Sequence, residues 1–445
     1  MIGDETRPST APSSGVDARI QIISWNLTRK CNLACEHCYL DASPFRHRRG
    51  ELSTEECLAV VDQVSAASPG ALLILSGGEP LLRPDLIPIA RHASDGGLVV
   101  VLGTNGTLLT KRTCKRLKDA GVRGVGVSID SLEAQRHDGF RKTPGSWRQA
   151  IRALEVLQAA GLPFTIQTTM TSENSGELSA IADFAFQKGA RGLNVYFLVP
   201  TGRGRYLSSI SPHQYQAILE ALAALQARYQ DTLMLNAKCA PQYQRLLLEN
   251  PTAAAGSRGY WGAGGCPAGV QYCAITPAGD VTPCPYLPIP GGNVREKRLA
   301  DIWRDSSVFQ RLRHRDGLAG RCGECGYWEA CGGCRARAFA ELDNPLAEDP
   351  LCPYEPEACT LQASSKPEER VYGLPFRPTM RWSPEARQRM ERAPSVLRGF
   401  VASRVEAFAR SRGCTEVTAE LLQEVRRGSV GGRGGADDGQ GASPA

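Results

Sequence analysis

The sequence predicts an α/β fold: an open, partial (β/α)6 barrel, then a cysteine-rich domain, then a small C-terminal helical domain. Three features carry that expectation. Apolar runs alternate with amphipathic stretches from Ile20 to about Ser211, and strand–helix alternation of this length implies right-handed βαβ units on a parallel sheet. Cysteines crowd the region from Cys266 to Cys359. A helical pattern then begins near Trp382 and ends near Arg427.

The candidate strands are Ile20–Leu27, Ala71–Ser76, Leu98–Gly103, Gly124–Ile129, Pro163–Met170 and Leu193–Leu198. Six such units suit a partial barrel. The candidate helices between them are Ser53–Ser68, Pro84–Ser94, Thr110–Ala120, Ser146–Ala160 and Gly176–Lys188. Ser53 reads as an N-cap, with Glu56 completing a capping box. Thr110 opens its helix in the same way, and Gly121 and Gly161 stand where helices should stop. A further helix is expected at Pro212–Tyr229, and the Gly/Ala-rich stretch from Pro251 to Gly265 reads as a linker. The resulting division is a disordered tail (1–18), the barrel (19–211), a helical connection and linker (212–265), the cysteine-rich domain (266–360), the helical domain (380–428) and a Gly-rich disordered tail (429–445).

Composition excludes several classes. Of the 445 residues, 42% are hydrophobic and 22% charged, as in an ordinary soluble globular protein. No apolar run approaches the roughly 20 residues of a membrane span, and no secretory signal opens the chain. Sixteen cysteines without an export signal argue for a cytoplasmic metalloprotein over a disulfide framework. The net charge of +6 comes without a dense Lys/Arg stripe interleaved with aromatics, so nucleic acid is not an expected partner. The mild basic bias suits a small anionic substrate.

The chemistry begins directly after the first strand, with Cys31, Cys35 and Cys38 in C-x3-C-x2-C spacing. That loop lies where barrels place their chemistry, at the C-terminal end of a strand. Three thiolates on one loop can hold three irons of a cubane [4Fe–4S] cluster and leave the fourth iron open. Structural zinc is the rival, but it wants four ligands in a closed tetrahedron, usually as two separated pairs. After the second strand comes Ser76-Gly77-Gly78-Glu79-Pro80, where two glycines let the backbone approach a ligand and Glu79 can accept from an ammonium. By itself this segment could equally be a plain strand-to-helix turn. Thr104-Asn105-Gly106 follows the third strand. Ser128-Ile129-Asp130 follows the fourth and leads to His137-Asp138-Gly139-Phe140-Arg141, in which Arg141 offers a bidentate partner for a carboxylate.

Taken in order, these motifs resemble the radical S-adenosylmethionine (radical SAM) enzymes. In that family the open iron chelates the amino and carboxylate groups of SAM, and an electron from the cluster splits SAM to a 5′-deoxyadenosyl radical. The resemblance implies that Gly77, Gly78 and Glu79 meet the SAM amino group, that Asn105 lies near the ribose, and that Ser128 and Arg141 hold the carboxylate. It also implies that the carbonyl of Tyr39 meets the adenine, and that a reducing donor such as flavodoxin or ferredoxin supplies the electron.

Cys266, Cys273 and Cys284 precede Cys322-x2-Cys325-x5-Cys331-x2-Cys334, and Cys352 follows. These eight cysteines make two sets of four. Zinc-ribbon spacing is also paired CxxC. The array resembles the SPASM extension of radical SAM enzymes, which holds one or two auxiliary [4Fe–4S] clusters. Carried over by order, Cys266, Cys273, Cys284 and Cys334 form one set and Cys322, Cys325, Cys331 and Cys352 the other. Cys57 and Cys114 fall within helices and read as small buried apolar residues. Cys359 and Cys414 carry no assigned role. Cys239 is read as a loop residue near the barrel mouth, either a substrate-side thiol or an extra ligand.

Three stretches resemble radical SAM enzymes of alternative heme and heme d1 biosynthesis, which act on propionates of iron tetrapyrroles. They are Phe197–Arg205, the segment around Cys239, and Cys331–Ala338. Residues 382–427, through Trp382, Ala386, Arg389, Pro394, Arg398, Glu406 and Ala409, resemble a small domain of light-independent protochlorophyllide reductase, also a tetrapyrrole enzyme. These resemblances imply an iron tetrapyrrole substrate, with Arg203 and Arg205 pairing its carboxylates, and an auxiliary cluster that accepts the leftover electron. Two other readings stay open. A peptide maturase would use the same clusters, although the short segment before the first strand leaves little room for the peptide-recognition domain such enzymes commonly carry there. A non-enzymatic zinc-ribbon scaffold is the other.

Overall fold

Short apolar runs rich in Val, Ile and Leu become strands because both faces of a parallel sheet are covered. In the computed structural model, β1 (Ile22–Asn26), β2 (Leu72–Ser76), β3 (Val99–Thr104), β4 (Gly124–Ser128), β5 (Phe164–Met170), β6 (Gly192–Phe197) and β7 (Met234–Lys238) pair in parallel, each with the next. On the other side of β1, β8 (Tyr272–Ile275) also pairs in parallel. β9 (Asp280–Thr282) and β10 (Gly292–Asn293) extend that edge antiparallel. The order is β10-β9-β8-β1-β2-β3-β4-β5-β6-β7, so the two ends do not meet and the barrel stays open. The structure describes residues 19–46, 48–207, 210–229, 232–250, 265–356 and 376–428, apart from 377, 392 and 394. The expected tails (1–18 and 429–445), most of the linker, Cys359 and Pro394 lie outside the described residues.

The connecting helices follow the expected capping chemistry. The helix Thr54–Ala67 carries a full capping box: Ser53 accepts from the Glu56 backbone N–H, and Glu56 accepts from the Ser53 N–H at 2.7 Å. Thr110 caps the helix Lys111–Asp119 by accepting from the Thr113 N–H. The helix Pro212–Tyr229 forms over its full expected length.

Two segments depart from expectation. The region assigned to a helical connection contains β7, where Leu235, Asn236 and Ala237 are all buried between the partly exposed Met234 and Lys238. The cysteine-rich region is not a separate layer, since β8 is a strand of the barrel sheet in register with β1. Cys273 pairs opposite Ile23 there and is fully buried in the main hydrophobic core with Trp25, Leu73 and Leu75. Cys57 and Cys114 belong to the same core.

The helical module at the C-terminal end has its own small core around Trp382, Ala386, Val405 and Ala409. Its centre is polar. Buried Glu406 accepts from Trp382 Nε1 at 2.8 Å and from the backbone N–H groups of Thr379 and Met380. A buried carboxylate needs such donors to offset its desolvation.

Candidate functional site

The loop after β1 is held from three sides. Arg203 is its main brace: Nε donates to the Cys35 carbonyl at 2.9 Å, Nη2 to the Ala42 carbonyl at 2.8 Å, and Nη1 pairs with Asp41 at 2.7 Å. The Arg203 backbone N–H also donates to the Cys38 carbonyl. Gly202 beside it has φ +58, and a Cβ there would lie 2.4 Å from the Cys38 oxygen and 2.5 Å from the Tyr39 oxygen. Glycine alone fits that approach. From β2, the N–H groups of Gly78 and Glu79 donate to the carbonyls of Thr28 and Lys30. A Cβ on Gly78 would meet the Lys30 oxygen at 2.3 Å. From the helix Ala134–Arg141, the Phe140 carbonyl accepts from Glu36 N–H, and Phe140 stacks on His37 at 4.3 Å.

Within this frame Cys31, Cys35 and Cys38 pack together with Leu33 and Ala42. Each sulfur faces donors. Leu33 N–H and Asn105 Nδ2 approach Cys31 Sγ at 3.4 and 3.8 Å, Arg141 Nη1 approaches Cys35 Sγ at 3.7 Å, and Ala42 N–H approaches Cys38 Sγ at 3.3 Å. N–H groups turned toward thiolate sulfur are the surroundings in which protein tunes an iron–sulfur cluster. Burial pushes the Cys31 thiol up to about 12. Without a metal it is a neutral thiol, and iron must displace its proton to bind.

Beyond the loop, Glu79 is fully buried and accepts from Thr104 Oγ1, from Asn105 N–H at 2.9 Å and from Leu81 N–H at 3.1 Å. Burial still pushes its carboxyl up, to about 7. Asn105 Nδ2 also donates to Asn32, and Ser128 Oγ donates to the Thr104 carbonyl. Arg141 meets Asp130 through Nε at 2.7 Å and Nη2 at 2.6 Å. Burial is the largest influence on Asp130 and raises it, but the Arg141 guanidinium, the neighbouring His37 and His137 and the Thr169 N–H together outweigh it and hold the carboxyl below the usual range. Arg141 is thus already paired with one carboxylate while its third nitrogen faces Cys35. Tyr39 donates its phenol to Asn26 at 2.8 Å and packs against Tyr286.

The second array falls into two groups of sulfurs. Cys322, Cys325, Cys331 and Cys352 line one small cavity, as their order in the chain predicts. N–H groups of Asp349, Tyr327 and Gly333 point at Cys322, Cys325 and Cys331, each at 3.4 Å, and Arg335 Nη2 reaches Cys322 at 3.8 Å. The other group is Cys266, Cys284, Cys334 and Cys239, on a cavity of about 140 Å³ that also takes Ile22, Ile74, Tyr196 and Lys238 from the inner face of the barrel. Cys273 is not part of it. Its β8 side chain points to the opposite face, under the helices, and this corrects the expectation drawn from chain order. Among the described residues no three donors close on one point fit for a single ion; the sulfurs line cavities instead.

Between the two groups lies a wholly buried ion pair, Arg337 with Asp349 at 2.9 Å. Asp349 also accepts from the Cys334 N–H at 2.7 Å and from Gln242 Nε2 at 2.7 Å. Asp349, Gln242 and Asp41 lie outside every sequence motif, and Asp130, though part of the motif after the fourth strand, was given no role there. Their signal was a charged or amide residue beside a cysteine or an Arg in an otherwise apolar neighbourhood.

Of the two arginines expected to meet substrate, Arg203 is instead the brace of the cysteine loop, with all three of its nitrogens engaged. Arg205 is exposed, donates to the Gly202 carbonyl and lies over the Tyr206 ring.

Comparison with known proteins places this geometry. The radical SAM superfamily model matches residues 25–185, and an iron–sulfur cluster-binding domain model, SPASM, matches 266–334. A model described as the proto-chlorophyllide reductase 57 kD subunit matches 382–426. An AdoMet-dependent heme synthase of Methanosarcina barkeri (AdoMet being SAM) is 42% identical over 342 residues, covering 76% of this chain and 97% of that protein. A mycofactocin maturase of Mycobacterium tuberculosis is 33% identical, covering 76% of this chain and 84% of that protein. In fold, SuiB of Streptococcus suis bound to S-adenosylmethionine superposes with a TM-score of 0.61 at 17% identity, covering 76% of this chain and 78% of that one.

The brace makes a prediction. Arg203→Gln should lower iron by about four atoms per chain, the content of one cubane, and abolish SAM cleavage, while the irons of the second array remain. Iron analysis and 5′-deoxyadenosine assay of anaerobically purified protein check this. Unchanged iron and cleavage with weakened substrate affinity would return Arg203 to the substrate site.

Proposed function

This chain belongs to the radical SAM enzymes that carry a SPASM domain, with [4Fe–4S] clusters and SAM as cofactors, and we propose that it decarboxylates propionate side chains of an iron tetrapyrrole. The observation that carries the reading is the 42% identity to a heme synthase over nearly all of that protein's length. The cavity on the inner face of the barrel supports it. It is lined by Tyr196, Tyr272 and Tyr286, which offer aromatic faces to a macrocycle, and by Lys238, a cation for a carboxylate. A second reading, a peptide maturase, is favoured by the 33% identity to the mycofactocin maturase.

Cys31, Cys35 and Cys38 would hold the cluster that binds SAM, and Glu79, Asn105, Ser128 and Arg141 would line the SAM site. When bound, SAM would supply a 5′-deoxyadenosyl radical, the chemistry needed to remove one hydrogen atom from the propionate carbon next to the ring. Loss of carbon dioxide and one electron then leaves a vinyl group. The chain's own residues bind and orient. Lys238 would pair with the departing carboxylate, since a buried propionate without a cation carries a large desolvation cost. The tyrosine ring faces would keep water from the reacting carbon. Cys239, Cys266, Cys284 and Cys334, on the same cavity, would hold a cluster able to accept the electron, and a flavodoxin- or ferredoxin-type donor would recharge the first cluster.

Titration of the anaerobically reconstituted protein with iron-coproporphyrin tests the substrate class. We expect saturable binding, weakened in Lys238→Gln by about 1.5–3 kcal/mol, the worth of a hydrogen bond to a charged group. Absence of binding to any iron porphyrin, with binding of a small precursor peptide, would favour the maturase.

Glu79 makes a pH prediction. Its folded value, about 7, is raised from 4.5. The stability of the protonated form is therefore full below 4.5 and is lost as pH rises through 7. The amino N–H groups of SAM donate best to the ionised carboxylate, so SAM affinity should fall as pH drops below about 7, approaching tenfold per unit. Isothermal titration between pH 5.5 and 8 reads this slope. Glu79→Gln should bind more weakly and flatten it; a parent slope that is already flat would detach Glu79 from SAM.

A further inference from the structure

We infer that Cys239 is the fourth thiolate ligand of the auxiliary [4Fe–4S] cluster whose other ligands are Cys266, Cys284 and Cys334. Cys239 lies outside the residues the SPASM model matches, in the turn between β7 and the helix Gln242–Glu249. Its thiol is hydrogen-bonded to that of Cys334, and Cys284 acts on it electrostatically. All four sulfurs border the one cavity.

The backbone gives an independent reason. Cys239 has φ +58, one of four non-glycine residues at positive φ among the described residues. The left-handed region disfavours a side chain, and such strain persists where the surroundings fix it and clusters at functional sites. Here the surroundings do fix it. β7 is zipped to β6 through Lys238, Pro241 precedes the next helix, and Arg337 Nη2 donates to the Cys239 carbonyl at 2.8 Å. Arg337 is in turn locked by Asp349, whose Oδ2 also accepts from the Cys334 N–H. The carbonyl of Cys239 and the amide of Cys334 are therefore tied to the two halves of one buried ion pair, which fixes the two thiols side by side.

The competing ligand fails on position. Cys273 is fully buried on a β8 position facing the helix-covered core, and the one charged group that acts on it is Arg313, not another cysteine. With Cys239 in place of Cys273, each auxiliary set has four protein thiolates. No iron of either cluster is then left open for substrate, so the first auxiliary cluster can exchange an electron across the cavity wall but cannot ligate the substrate.

The test uses the full chain with Cys31, Cys35 and Cys38 all changed to Ala, so that only auxiliary iron is counted. This parent should carry about eight irons per chain, two cubanes. Adding Cys239→Ala should remove about four of them, or keep them with an altered electron paramagnetic resonance signal of the dithionite-reduced cluster. Adding Cys239→Ser, nearly isosteric, should keep the iron and shift the signal. Adding Cys273→Ala should leave iron and signal as in the parent and lower only the melting temperature. Parent-like iron and signal in both Cys239 variants would overturn the assignment. So would loss of iron in the Cys273 variant with its circular dichroism unchanged. Because iron is counted without substrate, failure here leaves the tetrapyrrole reading standing.

Discussion

The buried ion pair of Arg337 and Asp349 is the joint on which the architecture turns. Both side chains are fully shielded from solvent, and removing one partner of such a pair costs about 3–5 kcal/mol because the other charge is stranded. Its reach explains why it is there. Through Gln242 it connects to Tyr215 on the helix Pro212–Tyr229, through the Cys239 carbonyl to the end of β7, and through the Cys334 amide to the first auxiliary set. The Asp349 backbone reaches the second set, donating to Cys322 Sγ and accepting from the Cys352 N–H. One pair thus fixes barrel edge, helix and both cysteine groups in a single geometry.

The same logic recurs at the first cysteine loop. Thiolates bound to iron put negative charge in a place where burial otherwise keeps thiols protonated, and each group of sulfurs has a guanidinium beside it. Arg141 faces Cys35 and is held by Asp130. Arg203 ties the carbonyls of Cys35 and Ala42 and is held by Asp41. Arg335 reaches Cys322, and Arg321 donates to the Cys352 carbonyl. The arginine-rich motifs around the cysteines serve mainly to position them. Lys238 lines the wall of the cavity itself.

Much of this was legible in the sequence, because parallel strands and capped helices are written in local patterns. The six expected strands, the Ser53 capping box and the helix Pro212–Tyr229 all depend on neighbours within a few positions. The second cysteine set was equally legible, since its members follow their order in the chain. What escaped depended on register. A strand alternates its faces, so one position decides whether Cys273 meets the core or the cavity, and spacing alone does not fix that position. β7, no shorter than β1, escaped because Asn236 and Lys238 interrupt its apolar run. Arg203 was misread because a glycine–arginine loop looks the same whether its guanidinium faces a ligand or turns back on carbonyls of its own chain.

The proposal at the centre of this account is a radical enzyme whose cysteine loop, tyrosine-lined cavity and auxiliary thiolates act together on propionates of an iron tetrapyrrole. Mass analysis of the tetrapyrrole after anaerobic turnover with iron-coproporphyrin III, SAM and reductant tests it most directly. The account predicts a product that has lost one or two carboxyl groups, each with one further hydrogen atom (carbon dioxide and two hydrogens per propionic acid), and one 5′-deoxyadenosine formed per vinyl group. Steady formation of 5′-deoxyadenosine with the porphyrin recovered at its original mass would contradict it.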